Sequence, residues 1–318
     1  MSENNLKLSF GWDIKTIIGI LLSIIGLIWA FHDFQFKSFS SSVAETKFLY
    51  IIIACISILF SVWLRAIRWR LLINSDKINI KQLYNIEMVG YFGNNVLPLR
   101  AGEIYRGVLL SNKTGQSKSY SLGTIALERM TDMMGLIILF GLLFIFYPLP
   151  ADIKLWGTRV IVFSIAIVII MLLLKFIFKS KMDSMLKRQF IGQFLHGLTG
   201  INFTIFLKIL GWTLIIWFVY WLDTHLIQYA FDLNMTWEES LLILVLTSVA
   251  MAIPSAPGMI GTYHAAVKFT MVTLLNYDVA VSNAFSIILH AYGFLTLTGV
   301  GAYFFIMSFN RINERKNK

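Results

Sequence analysis

The sequence predicts an all-α polytopic membrane protein: six transmembrane helices plus two re-entrant helical hairpins, arranged as an inverted repeat. Three observations predict it. Of 318 residues, 57% are hydrophobic and only 14% are charged, where soluble domains carry roughly 25% charged residues. A water-soluble fold of this size cannot hide that much apolar surface. Runs long enough to span a hydrocarbon core recur along the chain, and two further apolar regions are broken mid-way by proline and glycine.

The spans follow in order. Between Ile14 and Phe31 the one charge is Lys15. That run is too long for a signal peptide and lacks a small-residue cleavage site, so it reads as a retained first helix. Phe48 to Leu64 is uncharged and forms the core of a second. Leu122 to Tyr147 is a third, with Glu128, Arg129 and Asp132 in its first half. Leu155 to Leu174 is a fourth, and Phe203 to Leu222 a fifth. Val279 to Phe309 is a sixth, long enough to tilt. Ile80 to Leu110 breaks at Asn94-Asn95-Val96-Leu97-Pro98. Ser240 to Val267 breaks at Pro254-Ser255-Ala256-Pro257-Gly258. Proline removes a backbone donor and glycine frees the chain, so helices stop there. Each half is marginal for a full crossing, so both regions read as re-entrant hairpins, about 80–112 and about 238–276; a single kinked helix is the alternative for the second.

Charge sets the orientation. Basic clusters follow the second helix (Arg65, Arg68, Arg70, Lys77, Lys81), the first hairpin (Lys113, Lys118), the fourth helix (Lys175, Lys179, Lys181, Lys187, Arg188) and the sixth (Arg311, Arg315, Lys316, Lys318). All fall on one side if both hairpins return to the side they entered, so both termini are expected in the cytoplasm. The net charge of +10 is thus cytoplasmic loop charge on a multi-pass protein of a prokaryotic cytoplasmic membrane, and a nucleic-acid-binding globule is excluded. Met182, Met185, Leu186, Phe190, Phe194, Leu195 and Leu198 share one helical face, which predicts an interfacial helix before the fifth span. Cys55, the lone cysteine, is a packing residue.

The two breaks share a pattern, Pro-x-x-x-Gly, at Pro98–Gly102 and Pro254–Gly258, 156 residues apart. The same shift carries Phe48 beside Phe203 and Leu122 beside Val279. One transmembrane domain, 1–318, therefore divides into halves of about 1–150 and 151–318. Each has an odd number of crossings, which inverts the second. Broken helices facing each other across inverted halves are a transporter design.

The residues able to carry chemistry gather at the first break. Arg100 and Arg106 have forked donors that match phosphate. Asn94 and Asn95 are supporting donors, Arg129 lies on the third helix, and Gly102 lets a helix N-terminus approach an anion. Glu103 is placed to pair with Arg106, one turn on. Glu128 and Asp132 share a helix face, either as a buried charge network or as coupling groups. His264 and His290 are either packing histidines or proton carriers. Pro254, Ser255, Pro257, Gly258 and Gly261 form the second tip. Arg65, Arg68 and Trp69 sit where the second helix meets the cytoplasm, as topology anchors in contact with lipid headgroups. Phosphate-binding loops, nucleophile elbows and zinc motifs are absent from the sequence, and no cofactor, metal or catalysis is expected.

In order along the chain, Arg65-x-x-Arg68-Trp69, Leu97-Pro98-Leu99-Arg100-Ala101-Gly102-Glu103-x-x-Arg106, Glu128-Arg129-x-x-Asp132 and Pro254-x-x-Pro257-Gly258-x-x-Gly261 resemble the lysylphosphatidylglycerol synthase transmembrane-region family. That family includes the flippase-like half of the multiple peptide resistance factor. The resemblance covers nearly the whole chain and implies a lipid-translocating bundle. Two departures stand out. A soluble aminoacyl-transferase domain is missing, so lysyl transfer is not expected. The family's second hairpin often reads Pro-Gly-Gly-x-Gly followed by a glutamate, where this chain has Met259 and, near the acid's place, His264.

The leading expectation is a flippase or transporter of an anionic, phosphate-bearing membrane lipid, working by alternating access. A small-anion transporter on the same architecture and a membrane enzyme acting on a lipid phosphate, using Glu103, Asp132 or His264, are the alternatives.

Overall fold

A computed structural model describes residues 14–73, 75–97, 100–148, 151–159, 190–252 and 255–316, with 162, 165, 166 and 169. Among them every regular element is helical: α1 (Ile14–Phe31), α2 (Phe36–Ala44), α3 (Phe48–Arg70), α4 (Ile80–Val96), α5 (Ala101–Thr114) and α6 (Lys118–Phe146), a helical segment α7 at 151–159, then α8 (Ile191–Thr199), α9 (Phe203–Ala230), α10 (Trp237–Ala252), α11 (Thr262–Lys268) and α12 (Val279–Lys316). Short 3-10 and π turns at Pro257–Met259 and Phe269–Leu274 flank α11.

Among the described residues, four helices are long and apolar enough to cross a membrane: Phe48–Arg70, Lys118–Phe146, Phe203–Ala230 and Val279–Ser308. Their outward faces carry large exposed apolar side chains, such as Ile52, Ile56 and Phe60 on α3 and Leu207, Leu214 and Phe218 on α9. Water would penalise such faces, whereas lipid tails match them. Most of the fourth expected span, Leu155–Leu174, lies outside the described residues, as does the first half of the interfacial helix; the second half is α8. α2 lies in a stretch for which the sequence predicts no helix.

Capping chemistry fixes where the broken segments begin. Asn79 and Gln82 form a reciprocal capping box ahead of α4, and Thr236 and Glu239 exchange the equivalent bonds ahead of α10. Ser117 and Asn202 cap α6 and α9. At the first break α4 ends at Val96 and α5 restarts after Arg100, whose backbone is left-handed at φ 54°. At the second, α10 ends at Ala252, and Gly258 and Gly261 take φ of 69° and 99°. α4 packs against α5, and α10 against α11. The second region thus holds two helical segments, α10 and α11, in contact with each other across its break. Pro98 and Pro254 themselves lie outside the described residues.

α3 packs along α9. α4 packs on α12, α6 on α8 and α10, and α1 on α11. The apolar core is split into several clusters, one of them around Trp69, Leu83, Leu110 and Ile209, another around Leu143, Trp217 and Leu242.

Candidate functional site

The first hairpin closes through glycine. A Cβ on Gly102 would lie 2.1 Å from the Gly90 carbonyl oxygen and 2.7 Å from the Asn94 nitrogen, so only a residue without one lets α5 lie this close to α4. The approach sends the Arg106 side chain across Gly90 and into the protein. There Arg106 Nη2 donates to Glu87 Oε1 at 2.5 Å and to Glu128 Oε2 at 2.7 Å. Its guanidinium stacks over the Trp69 ring, 4.3 Å from the centroid.

From Glu128 the network spreads along α6. Arg68 reaches Glu128 at 3.4 Å, and its Nη1 donates to Asp132 Oδ1 at 2.6 Å and to Thr213 of α9 at 2.8 Å. Arg65 donates to Asp132 Oδ2 at 3.1 Å. Arg129 lies 3.5 Å from Glu103 and 3.4 Å from Asp132. Four arginines thus meet four carboxylates, Glu87, Glu103, Glu128 and Asp132, mostly in full burial. A balanced count is what burial demands, because each uncompensated ion would cost several kcal/mol.

This arrangement corrects several expectations. Arg65, Arg68 and Trp69 are not in headgroup contact: they are 3%, 0% and 0% exposed, drawn inward by Asp132, Glu128 and the Thr124 hydroxyl that accepts from the indole. Arg106 is not free for an anion, since two carboxylates already neutralise it. Glu103 is not paired with Arg106; it turns to Arg129, because Arg106 points into the bundle towards Glu87. Asn95 is spent on α12, donating to Thr298 Oγ1 at 2.9 Å. Glu128 and Asp132, both reached by Arg68, form the network's spine.

Arg100 differs from the other four arginines. Its side chain is exposed, no carboxylate among the described residues pairs with it, and its Nη2 donates to the Met251 carbonyl at 2.6 Å. Met251 is next to last in α10, so Arg100 connects the first break to the second. α4 also packs against the Pro257–Met259 turn. The two breaks are therefore neighbours, with an uncancelled cation between them. Asn94 lies against Gly102 with its amide oxygen unbonded.

At the second break Ser23 of α1 accepts from the Ala256 N–H at 2.7 Å. Gly261 sits so tightly on α1 that a Cβ there would be 2.1 Å from the Ser23 carbonyl oxygen. His290 Nε2 donates to the Gly258 carbonyl at 2.8 Å, and the His264 and His290 rings are 4.8 Å apart. Both histidines are thus built into the tip. Ser255 and Pro257 lie within the same break.

Two acids escaped the sequence reading. Glu87 is the lone charge in the first hairpin between Lys81 and Arg100, and Asp223 the lone acid in a fifth span that runs on to Ala230. Isolation within an apolar run was the available signal for both.

Residues 16–301 match the family described as Lysylphosphatidylglycerol synthase TM region. The chain is also similar to a UPF0104 membrane protein of Methanocaldococcus jannaschii, with 26% identity over 239 residues, 71% of this chain and 99% of the relative. A UPF0104 membrane protein of Pyrococcus horikoshii is 30% identical over 135 residues, 41% of this chain and 39% of the relative. No solved structure matches.

Proposed function

The chain belongs to the lysylphosphatidylglycerol synthase TM region family, and from that premise we propose that it moves an anionic, phosphate-bearing lipid across the cytoplasmic membrane by alternating access. The proposed frame is six spans and two re-entrant hairpins in inverted halves, with both termini cytoplasmic. Helix positions support the repeat. Carried forward by 156 residues, α2 falls on 192–200 against Ile191–Thr199, and α4 on 236–252 against Trp237–Ala252. Packing supports it too: α4 lies on α12 and α10 on α6, as partners exchanged between halves would, while α3 and α9 pack on each other.

The observation that carries the reading is Arg100. Four arginines in this region are cancelled by carboxylates, and the fifth is left with a carbonyl oxygen as its partner. It stands at the start of α5, where the positive end of the helix dipole adds to its charge, and beside the second break. A lipid phosphate entering between the hairpins supplies the missing anion. Arg129, 35% exposed in its side chain, borders the same approach. The carboxylates are tied up in ion pairs, which argues for transport over acid–base chemistry at this site.

The test is reconstitution into liposomes containing fluorescent phosphatidylglycerol, with chemical quenching of the outer leaflet. Faster movement than in protein-free vesicles is expected. Equal rates would overturn the proposal.

A further inference from the structure

Among the described residues three carboxylates are fully buried: Glu87, Glu128 and Asp223. The first two touch Arg106. Asp223, in the last third of α9, is paired with no cation among the described residues, and the one hydrogen-bonding group beside its oxygens is the Ser57 hydroxyl. The neighbouring polar groups are few and neutral. α3 brings Ser57 beside it, α12 brings Tyr292, and Tyr220 lies one turn earlier on α9 itself. The remaining helices against α9 offer it no cation: Asp132 of α6 is held by Arg65, Arg68 and Arg129, and Glu239 of α10 accepts from Tyr277.

A carboxylate in such surroundings can be charged only at a large desolvation cost with nothing to offset it. Binding a proton removes that cost. A metal cation would need several oxygen ligands, and the described residues hold no group of three or more acidic, histidine or cysteine side chains placed to hold a metal ion. We propose that Asp223 is a proton-binding site of this protein, reversibly loaded as the α3–α9–α12 seam opens and closes. The proton adds to a carboxylate oxygen to form an O–H bond and departs to water, with no electron transferred.

The position links the site to both breaks. Tyr91, Tyr220 and Tyr292 pack on one apolar cluster with Ile58 and Val62, and Tyr292 and Tyr263 on the next. The Tyr263 ring is 4.9 Å from that of His290, which holds the Gly258 carbonyl. A line of hydroxyl and imidazole rings thus runs from the first hairpin, past Asp223, to the tip of the second. A change of charge at Asp223 changes what this seam must accommodate. The inference rests on the transport reading for its purpose, but the site itself is tested without any transport assay.

The experiment is infrared spectroscopy of the purified full chain, titrated from about pH 5 to pH 9 across the range that buried carboxyls reach. The expected result is a protonated-carboxyl C=O band that fades as pH rises and is missing in Asp223→Asn. If Asp223→Asn fails to fold, labelling the wild-type chain with isotopic aspartate assigns the band instead. A band that persists unchanged across the range would mean a permanently neutral packing group and would overturn the proposal. So would its absence at every pH, or its loss on adding sodium at fixed pH, which would make the ligand a metal cation. Failure of lipid movement in liposomes with a titrating Asp223 band would count against the transport reading alone.

Discussion

Arg106 of α5 and Glu87 of α4 form a 2.5 Å ion pair that locks the two arms of the first hairpin together. Glu128 of α6 completes it from the other side at 2.7 Å. Removing the arginine leaves a buried carboxylate without a partner, which typically costs about 3–5 kcal/mol. Arg106→Gln should therefore lower the thermal unfolding midpoint in detergent sharply. The double variant Glu87→Gln, Arg106→Gln should recover much of the loss, because both charges then leave together, while Arg68 still serves Glu128. Equal losses in the single and double variants would show that the pair does not hold the hairpin.

Glycine spacing gives a second contrast. Gly102→Ala forces a methyl group into the Gly90 carbonyl, and overpacking of this kind costs roughly 1–3 kcal/mol. Gly211 of α9 faces open space, with nothing within 4 Å of a built Cβ. Gly211→Ala should be neutral or stabilising by up to about 1 kcal/mol. Thermal unfolding of the two variants side by side checks this; a Gly102→Ala protein as stable as the wild type would mean that α4 and α5 are not in contact.

Orientation follows from the basic clusters. A reporter active only in the cytoplasm, fused after Lys318, should be active, and one active only outside should be silent. The opposite pattern would rule out two hairpins that return to the side they entered.

The helix boundaries were legible where local chemistry sets them. Phe48, Phe203 and Val279 open α3, α9 and α12 where the apolar runs begin, and the breaks after Val96 and Ala252 fall at the proline-containing segments. Partnerships were not legible. Arg65 and Arg68 stand at the head of a basic cluster, so the sequence reads them as cytoplasmic anchors. Their burial depends on Asp132, 64 residues beyond Arg68, which only the packing of α3 on α6 and α9 brings near. Arg106 was expected to pair with Glu103 by helical spacing, yet the glycine contact between α4 and α5 turns it towards Glu87. α2 was missed because its Ser-rich, mildly amphipathic nine residues resemble a loop in composition.

Arg100 is where the transport proposal is most exposed. In the Arg100→Gln variant the amide can keep the hydrogen bond to the Met251 carbonyl, so stability should fall by no more than about 1.5 kcal/mol. The measurement is the rate of fluorescent phosphatidylglycerol movement in liposomes reconstituted with equal amounts of folded wild-type and Arg100→Gln protein. A folded variant whose lipid movement drops to the protein-free rate is the predicted result. A folded variant that moves the lipid at the wild-type rate would contradict the role of Arg100 as the cation that receives the phosphate.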